Sequence, residues 1–201
     1  MCFFYRLSKT AQELENRFNA KFENDKEYHL SNYNGFEFPK APVITNIETN
    51  KIQMLYWGLI PQWAKDNTIR KKTLNAKIET INERPSFRNS ITNRCLIITD
   101  GFYEWQWLDK KGKIKQKYLI SLHGDEAFAF AGLWNEWVDK ITGEICKTYT
   151  VLTTEANELM SRIHNTKKRM PVMLNDKNEI NWLNGQEIIS KDIELKATKV
   201  T

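Results

Sequence analysis

The alternation of apolar and polar positions changes near residue 93, and the second part of the chain is the richer in strand-like runs. Four such runs follow one another at 94–107, 114–122, 127–138 and 145–153, with turn residues between them. Short β-rich runs separated by turn signals are typical of antiparallel hairpins. The pattern therefore predicts an antiparallel β-meander as the main sheet.

Helical spacing flanks this region on both sides. A short apolar strand at 2–7 is followed by a capping box, Thr10 with Glu13, and by apolar residues at helical spacing over 11–22. Behind the meander the sequence predicts a helix at about 155–163, a strand at 170–174, and a helix from a capping box at Asp176 and Glu179 to a stop at Gly185. Strands followed by helices predict the α+β class.

Composition supports one folded domain over residues 1–201. The 201 residues include 30 Lys+Arg and 25 Asp+Glu, a net charge of +5, with 41% hydrophobic residues and only 8 Gly and 5 Pro. These values exclude collagen-like, low-complexity and disordered classes. No apolar stretch approaches the roughly 18 residues of a membrane span, and the N-terminus lacks a secretory signal. We expect a cytoplasmic monomer with no membrane partner.

The three cysteines do not form a metal-binding or disulfide pattern. Cys2, Cys95 and Cys146 are odd in number and far apart. Paired spacings such as those of zinc sites or disulfide frameworks are missing. We therefore expect reduced thiols, no metal and no cofactor.

Cys2 is notable for its position. Removal of the initiator methionine would make it the N-terminal residue, with an α-amine and a thiol on one residue. Their reference pKa values are about 7.7–8.0 and about 8.5. Such an aminothiol captures aldehydes, because the amine forms a Schiff base and the thiol then closes a thiazolidine ring. The alternative is a small buried hydrophobe at the start of a strand.

Two other side chains are candidates for proton transfer. Glu104 lies among aromatic residues in a predicted strand, and alternation places it on one face with Phe102 and Gln106. Apolar surroundings raise a carboxyl pKa towards the range useful in catalysis. His164 follows a predicted helix and precedes a basic run. The alternatives are a solvent-facing acid and a structural histidine.

Basic and aromatic residues recur in two places. Basic side chains cluster at 70–72 and at 167–169, and Trp57 and Trp63 stand close together in the sequence. Interleaved cations and aromatic rings suit single-stranded nucleic acid, through phosphate contacts and base stacking. The alternative assigns the charges to a solvated face and the tryptophans to the core.

Taken together, the motifs of this chain resemble those of the SOS-response-associated peptidase (SRAP) family. The resemblance spans most of the chain. Its motifs, in order, are Met1-Cys2, Trp57-Gly58-Leu59-Ile60-Pro61, Asn75-Ala76-Lys77-Ile78-Glu79-Thr80, Arg84-Pro85-Ser86-Phe87-Arg88, Arg94-Cys95-Leu96, Asp100-Gly101-Phe102-Tyr103-Glu104-Trp105, Phe130-Ala131-Gly132-Leu133-Trp134, Ile163-His164 and Arg169-Met170-Pro171-Val172.

The resemblance implies a curved, barrel-like sheet with flanking helices and a function in DNA damage repair. The expected partner is single-stranded DNA containing abasic sites, to which the protein crosslinks through a Cys2 thiazolidine, and damage would bring it to the nucleoid. By resemblance, Asn75 orients the cysteine and the sugar, Glu104 holds or deprotonates the α-amine, and His164 acts on the sugar as acid and base. The same centre would remove Met1. The expected DNA-binding residues are Arg6, Trp63, Lys77, Arg84, Arg88 and Arg169.

Three departures from the family pattern bear on these expectations. Phe3 and Phe4 stand where family members usually have Gly-Arg, so that Arg6 is the candidate replacement for the lost cation. Lys77 stands in place of an arginine and lacks its bidentate fork. Four residues separate His164 from Arg169, more than in many members. Two other functions remain open, namely a non-covalent reader of single-stranded or modified DNA and a thiol peptidase.

Overall fold

The computed structural model describes residues 2–186 and 193–200, which form an α+β fold. The helices are α1 Ala11–Phe18, α2 Glu158–Ile163 and α3 Asp176–Leu183. The strands are β1 Phe4–Leu7, β2 Lys21–Phe22, β3 Ser31–Asn34, β4 Lys40–Thr45, β5 Glu48–Trp57, β6 Asn75–Lys77, β7 Arg94–Thr99, β8 Gly101–Trp107, β9 Lys115–Leu122, β10 Phe128–Val138, β11 Ile145–Glu155, β12 Arg169–Pro171, β13 Met173–Leu174 and β14 Leu195–Val200.

The larger sheet curls into a barrel. Its path runs β12-β11-β10-β7-β4-β5-β2, and β5 also pairs in parallel with β11. That pairing closes the circuit β11-β10-β7-β4-β5. Gly132 on β10 allows close packing inside it, since a Cβ there would lie 2.4 Å from Ile97 Cδ1 and 2.8 Å from the Thr150 carbonyl oxygen. The predicted α+β class and barrel-like sheet are confirmed.

The smaller sheet has five strands in the order β14-β9-β8-β1-β3. β1 lies between β3 and β8, antiparallel to both. The first strand of the chain is therefore held on two sides. This placement fixes the residues immediately before β1 against β8.

The predicted meander is divided between the two sheets. The run at 94–107 is two strands, because the chain leaves the barrel at Asp100, whose carboxylate accepts hydrogen bonds from Arg6 and from the backbone and side chain of Ser8. β8 pairs with β9 and β10 with β11, as hairpins should. β10 pairs with β7 rather than with β9, so the two hairpins do not join into one sheet. The sequence pattern also did not reveal β3 to β6 or β14.

Aromatic rings fill the core between the sheets. The largest fully buried side chains include Trp57, Tyr5, Tyr149, Phe102 and Phe130. The hydroxyls of Tyr5 and Tyr149 satisfy each other at 2.7 Å. The interpretation of Trp57 as a stacking surface is wrong, because its ring is buried and its indole N–H donates to the Leu74 carbonyl.

The helix caps partly match their predictions. The Thr10–Glu13 capping box of α1 is present, although the helix ends at Phe18 and Phe22 belongs to β2. α2 begins at Glu158 rather than near 155, since β11 continues to Glu155 and Asn157 supplies the cap.

The capping box of α3 is formed by different residues from those predicted. Asn175 and Asn178 make the reciprocal bonds, one residue earlier in the chain than Asp176 and Glu179. Glu179 instead binds Arg17 of α1 through both carboxylate oxygens. The predicted strand at 170–174 is split into β12 and β13 at Val172, whose backbone N–H bonds to Leu152.

Candidate functional site

Cys2 lies fully buried at the entrance to β1. Its thiol donates to the Phe4 carbonyl oxygen at 3.8 Å. Burial raises the pKa of this thiol well above its usual value, and the negative charge of Glu104 raises it further. The sulfur is therefore a neutral thiol at neutral pH, close to a carboxylate that can accept its proton. Met1, whose removal is predicted, lies outside the described residues.

Asn75 reaches Cys2 from a distant part of the sequence. It is the first residue of β6, which pairs in parallel with β11 at Val151. Its side-chain N–H donates to the Cys2 carbonyl at 2.8 Å. The amide oxygen Oδ1 is buried and has no hydrogen-bond partner among the described residues. Asn75 thus fixes the Cys2 backbone and keeps an acceptor for another group.

Glu104 occupies the inner face of β8, as alternation predicts. Glu104 is 5% exposed, and Phe102 on the same face is fully buried. Burial raises the pKa of the Glu104 carboxyl, while the charge of the chain's α-amino group and a hydrogen bond with the Trp105 backbone act in the opposite direction. A carboxyl in this environment suits a proton acceptor that works near neutral pH.

His164 forms the C-cap of α2 and is held by its own loop. Its backbone N–H donates to Met160 O at 2.7 Å, and its ring Nδ1 lies 2.9 Å from the Arg169 carbonyl oxygen and 3.2 Å from the Arg169 nitrogen. The four residues between His164 and Arg169 form a compact turn, because Lys168 adopts a positive φ of 50° and its N–H bonds back to the His164 carbonyl. The longer spacing therefore keeps histidine and arginine adjacent.

Asn165 ties this loop to the strand that carries Glu104. Its side chain accepts from the Trp107 N–H and donates to the Trp107 carbonyl. Burial lowers the pKa of His164 to about 4, with the chain's α-amino charge adding to the effect. The imidazole is therefore neutral at physiological pH, with one nitrogen able to accept a proton.

Electrostatic contacts join these groups into one site. The charge of Glu104 acts on the Cys2 thiol, and Asn165 bonds the loop of His164 to Trp107 of the strand that carries Glu104. Asn75 is linked directly to Cys2. The structure therefore brings together the four side chains that the sequence analysis selected, from the N-terminal segment, β6, β8 and the end of α2.

Four of the expected DNA-binding residues lie on the surface. Lys77, Arg84 and Arg88 are exposed, and Trp63 is 52% exposed. The Trp63 indole N–H donates to the Pro85 carbonyl, which places the ring beside the loop that carries Arg84. Lys77 is two residues from Asn75 on the same strand and projects from the same face.

The other two expected DNA-binding residues are engaged within the protein. The Arg6 guanidinium binds the buried carboxylate of Asp100 at 2.8 Å. Arg169 is 9% exposed, forms a bidentate ion pair with Glu79 and donates to the Thr153 carbonyl oxygen. Their DNA contacts stay a prediction, and the ion pair of Arg169 follows from its burial, because a buried cation needs an internal partner.

Sequence reasoning assigned no role to Glu79, which lies within a family motif, and did not single out Phe36. Glu79 follows Lys77 closely and anchors Arg169, yet an isolated acid in a loop gives no signal of a partner 90 positions away. Phe36 lies against Phe3, with ring centroids 4.9 Å apart. In the sequence, the only signal at Phe36 is that an apolar residue stands between turn residues.

The described residues contain no group of three or more His, Cys, Asp and Glu side chains arranged for a metal ion. Among the same residues, no helix has the length and apolar character needed to cross a bilayer.

The chain is similar in sequence to proteins that are named abasic site processing proteins. The abasic site processing protein YoqW of Bacillus subtilis is 43% identical over 189 residues, which cover 92% of this chain and 80% of YoqW. The abasic site processing protein HMCES of Xenopus tropicalis is 26% identical over 202 residues, covering 85% of this chain and 58% of HMCES.

Solved structures and a family model extend this likeness over the whole chain. A crystal structure of a protein from Bacteroides thetaiotaomicron has a TM-score of 0.87 and 32% identity, and the match covers 100% of this chain and 92% of that one. The model of the SOS response associated peptidase (SRAP) family matches residues 1–200. With that match and the close relatives above, the chain belongs to the SRAP family.

Proposed function

We propose that this protein processes abasic sites in single-stranded DNA by forming a covalent thiazolidine crosslink through Cys2. The relatives named abasic site processing proteins support the substrate. The arrangement around Cys2 supports the chemistry. Removal of Met1, by the same centre, comes first because the nitrogen of Cys2 is an amide until then.

The bonds of the reaction balance with the loss of one water. The freed α-amine of Cys2 adds to C1′ of the ring-opened sugar, and water leaves as the Schiff base forms. The thiol then adds across the C=N bond, so that sulfur bonds to C1′ and its proton moves to nitrogen. No oxidant, reductant or metal takes part.

The hydrogen bond from Asn75 to Cys2 is the observation that carries this proposal. It connects residues 73 positions apart at 2.8 Å and holds the Cys2 backbone, where the reactive amine would be. The unpartnered Oδ1 of Asn75 provides an acceptor for that amine or for a sugar hydroxyl. A merely structural asparagine would rarely leave a buried oxygen without a partner.

Glu104 and His164 divide the proton transfers. Glu104 accepts the proton of the α-ammonium, since its raised pKa brings it closer to that of the amine. The neutral His164 ring assists opening of the sugar and, when the crosslink reverses, its release. The exposed Trp63, Lys77, Arg84 and Arg88 supply stacking and phosphate contacts.

The raised pKa of the Cys2 thiol favours this chemistry over proteolysis. Thiol proteases depend on a thiolate, which a cationic environment stabilises. Here burial and the charge of Glu104 do the opposite. In the proposed reaction the thiol adds to an imine that the neighbouring amine has already formed, so no thiolate is needed before the substrate arrives.

A denaturing gel with single-stranded DNA carrying one abasic site tests the proposal. The Met-trimmed protein should give a shifted band, whereas Cys2→Ala should give none that survives heating. A chain with one alanine inserted before Cys2 keeps the thiol and loses the free aminothiol, and it should also fail. Cys146→Ala is the matched control and should crosslink normally.

A native gel and a peptide-cleavage assay separate the other two functions. A non-covalent reader would retain DNA in a native gel and release it on denaturation, with or without Cys2. A thiol peptidase would cleave a peptide substrate even with the inserted alanine. Either result in place of the Cys2-dependent band would overturn the proposal.

A further inference from the structure

Aromatic side chains line the outer face of the five-stranded sheet, starting beside Cys2. Because Phe102 and Glu104 point inward, the alternate residues Tyr103, Trp105 and Trp107 of β8 point away from the core, and all three are partly exposed. The Phe4 ring of β1 meets Trp105 edge-on, with centroids 5.2 Å apart.

Phe36 extends this group beyond the sheet edge. It follows β3 and is 57% exposed, and its ring centroid lies 4.9 Å from that of Phe3 and 6.1 Å from that of Phe4. We call Phe3, Phe4, Phe36, Tyr103, Trp105 and Trp107 the aromatic row. Phe3 follows Cys2 directly, and its ring contact with Phe36 joins the row to the Cys2 end of the candidate site, whereas Trp105 and Glu104 lie on opposite faces of β8.

Lysines are interleaved with these rings. The register of β8 and β9 places Lys117 opposite Trp105 and Lys115 opposite Trp107. Lys117 Nζ lies 4.1 Å from the Tyr103 ring centroid, and Lys115 Nζ lies 5.3 Å from that of Trp107. The face therefore presents positive charge among partly exposed aromatic rings.

This combination selects one kind of occupant. A purely apolar partner would have to desolvate the lysines, at considerable cost. A single strand of nucleic acid offers flat base faces for the rings and phosphates for the ammonium groups. Aromatic residues on an open sheet face are a recurrent means of stacking unpaired bases.

We propose that the aromatic row stacks unpaired nucleobases of the DNA strand that continues from the nucleotide at Cys2. The starting point of that strand rests on the proposed function, whereas stacking itself needs no abasic site. The row thus adds a base-dependent contribution to binding, beside the phosphate contacts around Lys77 and Arg84.

The test uses undamaged DNA so that it is independent of crosslinking. Fluorescence anisotropy compares oligothymidylate of about 16 nucleotides, the upper end of single-strand site sizes, with a tetrahydrofuran-phosphate polymer of equal length that lacks bases. Phe36→Leu keeps apolar bulk and removes the π face at an exposed position. Phe36→Trp restores a ring, and Ile141→Ala, at an exposed residue of the β10–β11 turn, is the control.

The proposal predicts that Phe36→Leu weakens oligothymidylate binding by about fivefold or more and leaves the baseless polymer unaffected. Phe36→Trp and Ile141→Ala should bind both as the wild type does. Equal effects on the two polymers, or none on oligothymidylate, would overturn it. So would concentration-dependent dimerisation that Phe36→Leu abolishes, since the row would then be a protein interface. If this test succeeds and the abasic crosslink fails, only the proposed function falls.

Discussion

Burial disfavours the charged form of each candidate catalytic side chain and so shifts its pKa. It raises the pKa values of the Cys2 thiol and the Glu104 carboxyl and lowers that of His164. All three shifts favour the uncharged form. In the proposed function, the carboxylate form of Glu104 takes a proton from the ammonium of the newly freed N-terminus, which produces the nucleophilic amine.

Replacement of Glu104 by glutamine should show this role. The amide has nearly the same shape and cannot take a proton, so we expect crosslinking to slow by about 10²-fold or more. Quenched time courses on denaturing gels measure the rate. Glu158→Gln, on an exposed side chain of α2, should leave it unchanged. An unaffected rate in Glu104→Gln would assign the proton transfer to another group.

His164 should also affect stability as the pH falls. Its pKa is about 4 when folded, against an ordinary value of 6.5, so the unfolded chain binds the extra proton between those values. The neutral histidine thus contributes stability that is present above pH 6.5 and is lost as the pH falls towards 4. Urea unfolding of wild type and His164→Gln should show a difference that shrinks over this window. A difference independent of pH would contradict the assignment.

At the scale of elements, an ion pair joins the segments that carry Asn75 and His164. Glu79 follows β6, and Arg169 opens β12 and contacts the His164 ring through its backbone. Because Arg169 is nearly buried, its charge depends on that partner. The pair holds the two catalytic segments at a fixed spacing.

Glu79→Gln should therefore affect both stability and rate. We expect a loss of about 1–3 kcal/mol in unfolding free energy, from the weakened bonds to a buried guanidinium. The crosslinking rate of Glu79→Gln should be lower than that of the wild type, and Cys2→Ala, the inactive reference, should give no crosslink. Urea unfolding and gel time courses measure the two effects. Glu83→Gln, at an exposed residue of the next turn, is the control, and equal behaviour of the two variants would rule out the positioning role.

Elements with local signals were predictable, and those set by distant partners were not. The β8–β9 and β10–β11 hairpins and the α1 capping box follow from turn and cap residues close in sequence. The break at Asp100 depends on Arg6 and Ser8, over 90 positions away. Cys2, Glu104 and His164 were selected from position and pattern, whereas Asn75 and the specific roles of Glu104 and His164 came from family resemblance. The internal bonds of Arg169 could not be seen without the fold.

For the whole molecule, the net charge of +5 is less informative than its distribution. Lys77, Arg84 and Arg88 are exposed, while Arg6 and Arg169 are paired internally. Only exposed cations can release counterions from DNA. We therefore expect Lys77, Arg84 and Arg88 to contribute to the salt dependence of binding, and Arg6 and Arg169 to contribute little.

Each of Lys77→Gln, Arg84→Gln and Arg88→Gln should flatten the plot of log binding constant against log salt. The expected change is about 0.7 per lost phosphate contact on single-stranded DNA. Anisotropy titrations at several salt concentrations measure it. Lys111→Gln, in the β8–β9 turn, should leave the slope unchanged, and a slope that responds to it equally would show that binding follows net charge alone.

The mass of the intact crosslink tests the central claim most directly. Protein lacking Met1 is incubated with abasic single-stranded DNA, and the covalent product is weighed and its peptide sequenced. The thiazolidine predicts the sum of protein and DNA less one water, attached at Cys2, with the Cys2 sulfur resistant to alkylation by iodoacetamide, because an open Schiff base at Cys2 has the same mass but keeps its thiol. A sum without loss of water would indicate addition of the thiol alone, and attachment at a lysine would indicate a simple Schiff base. Either result would contradict the thiazolidine.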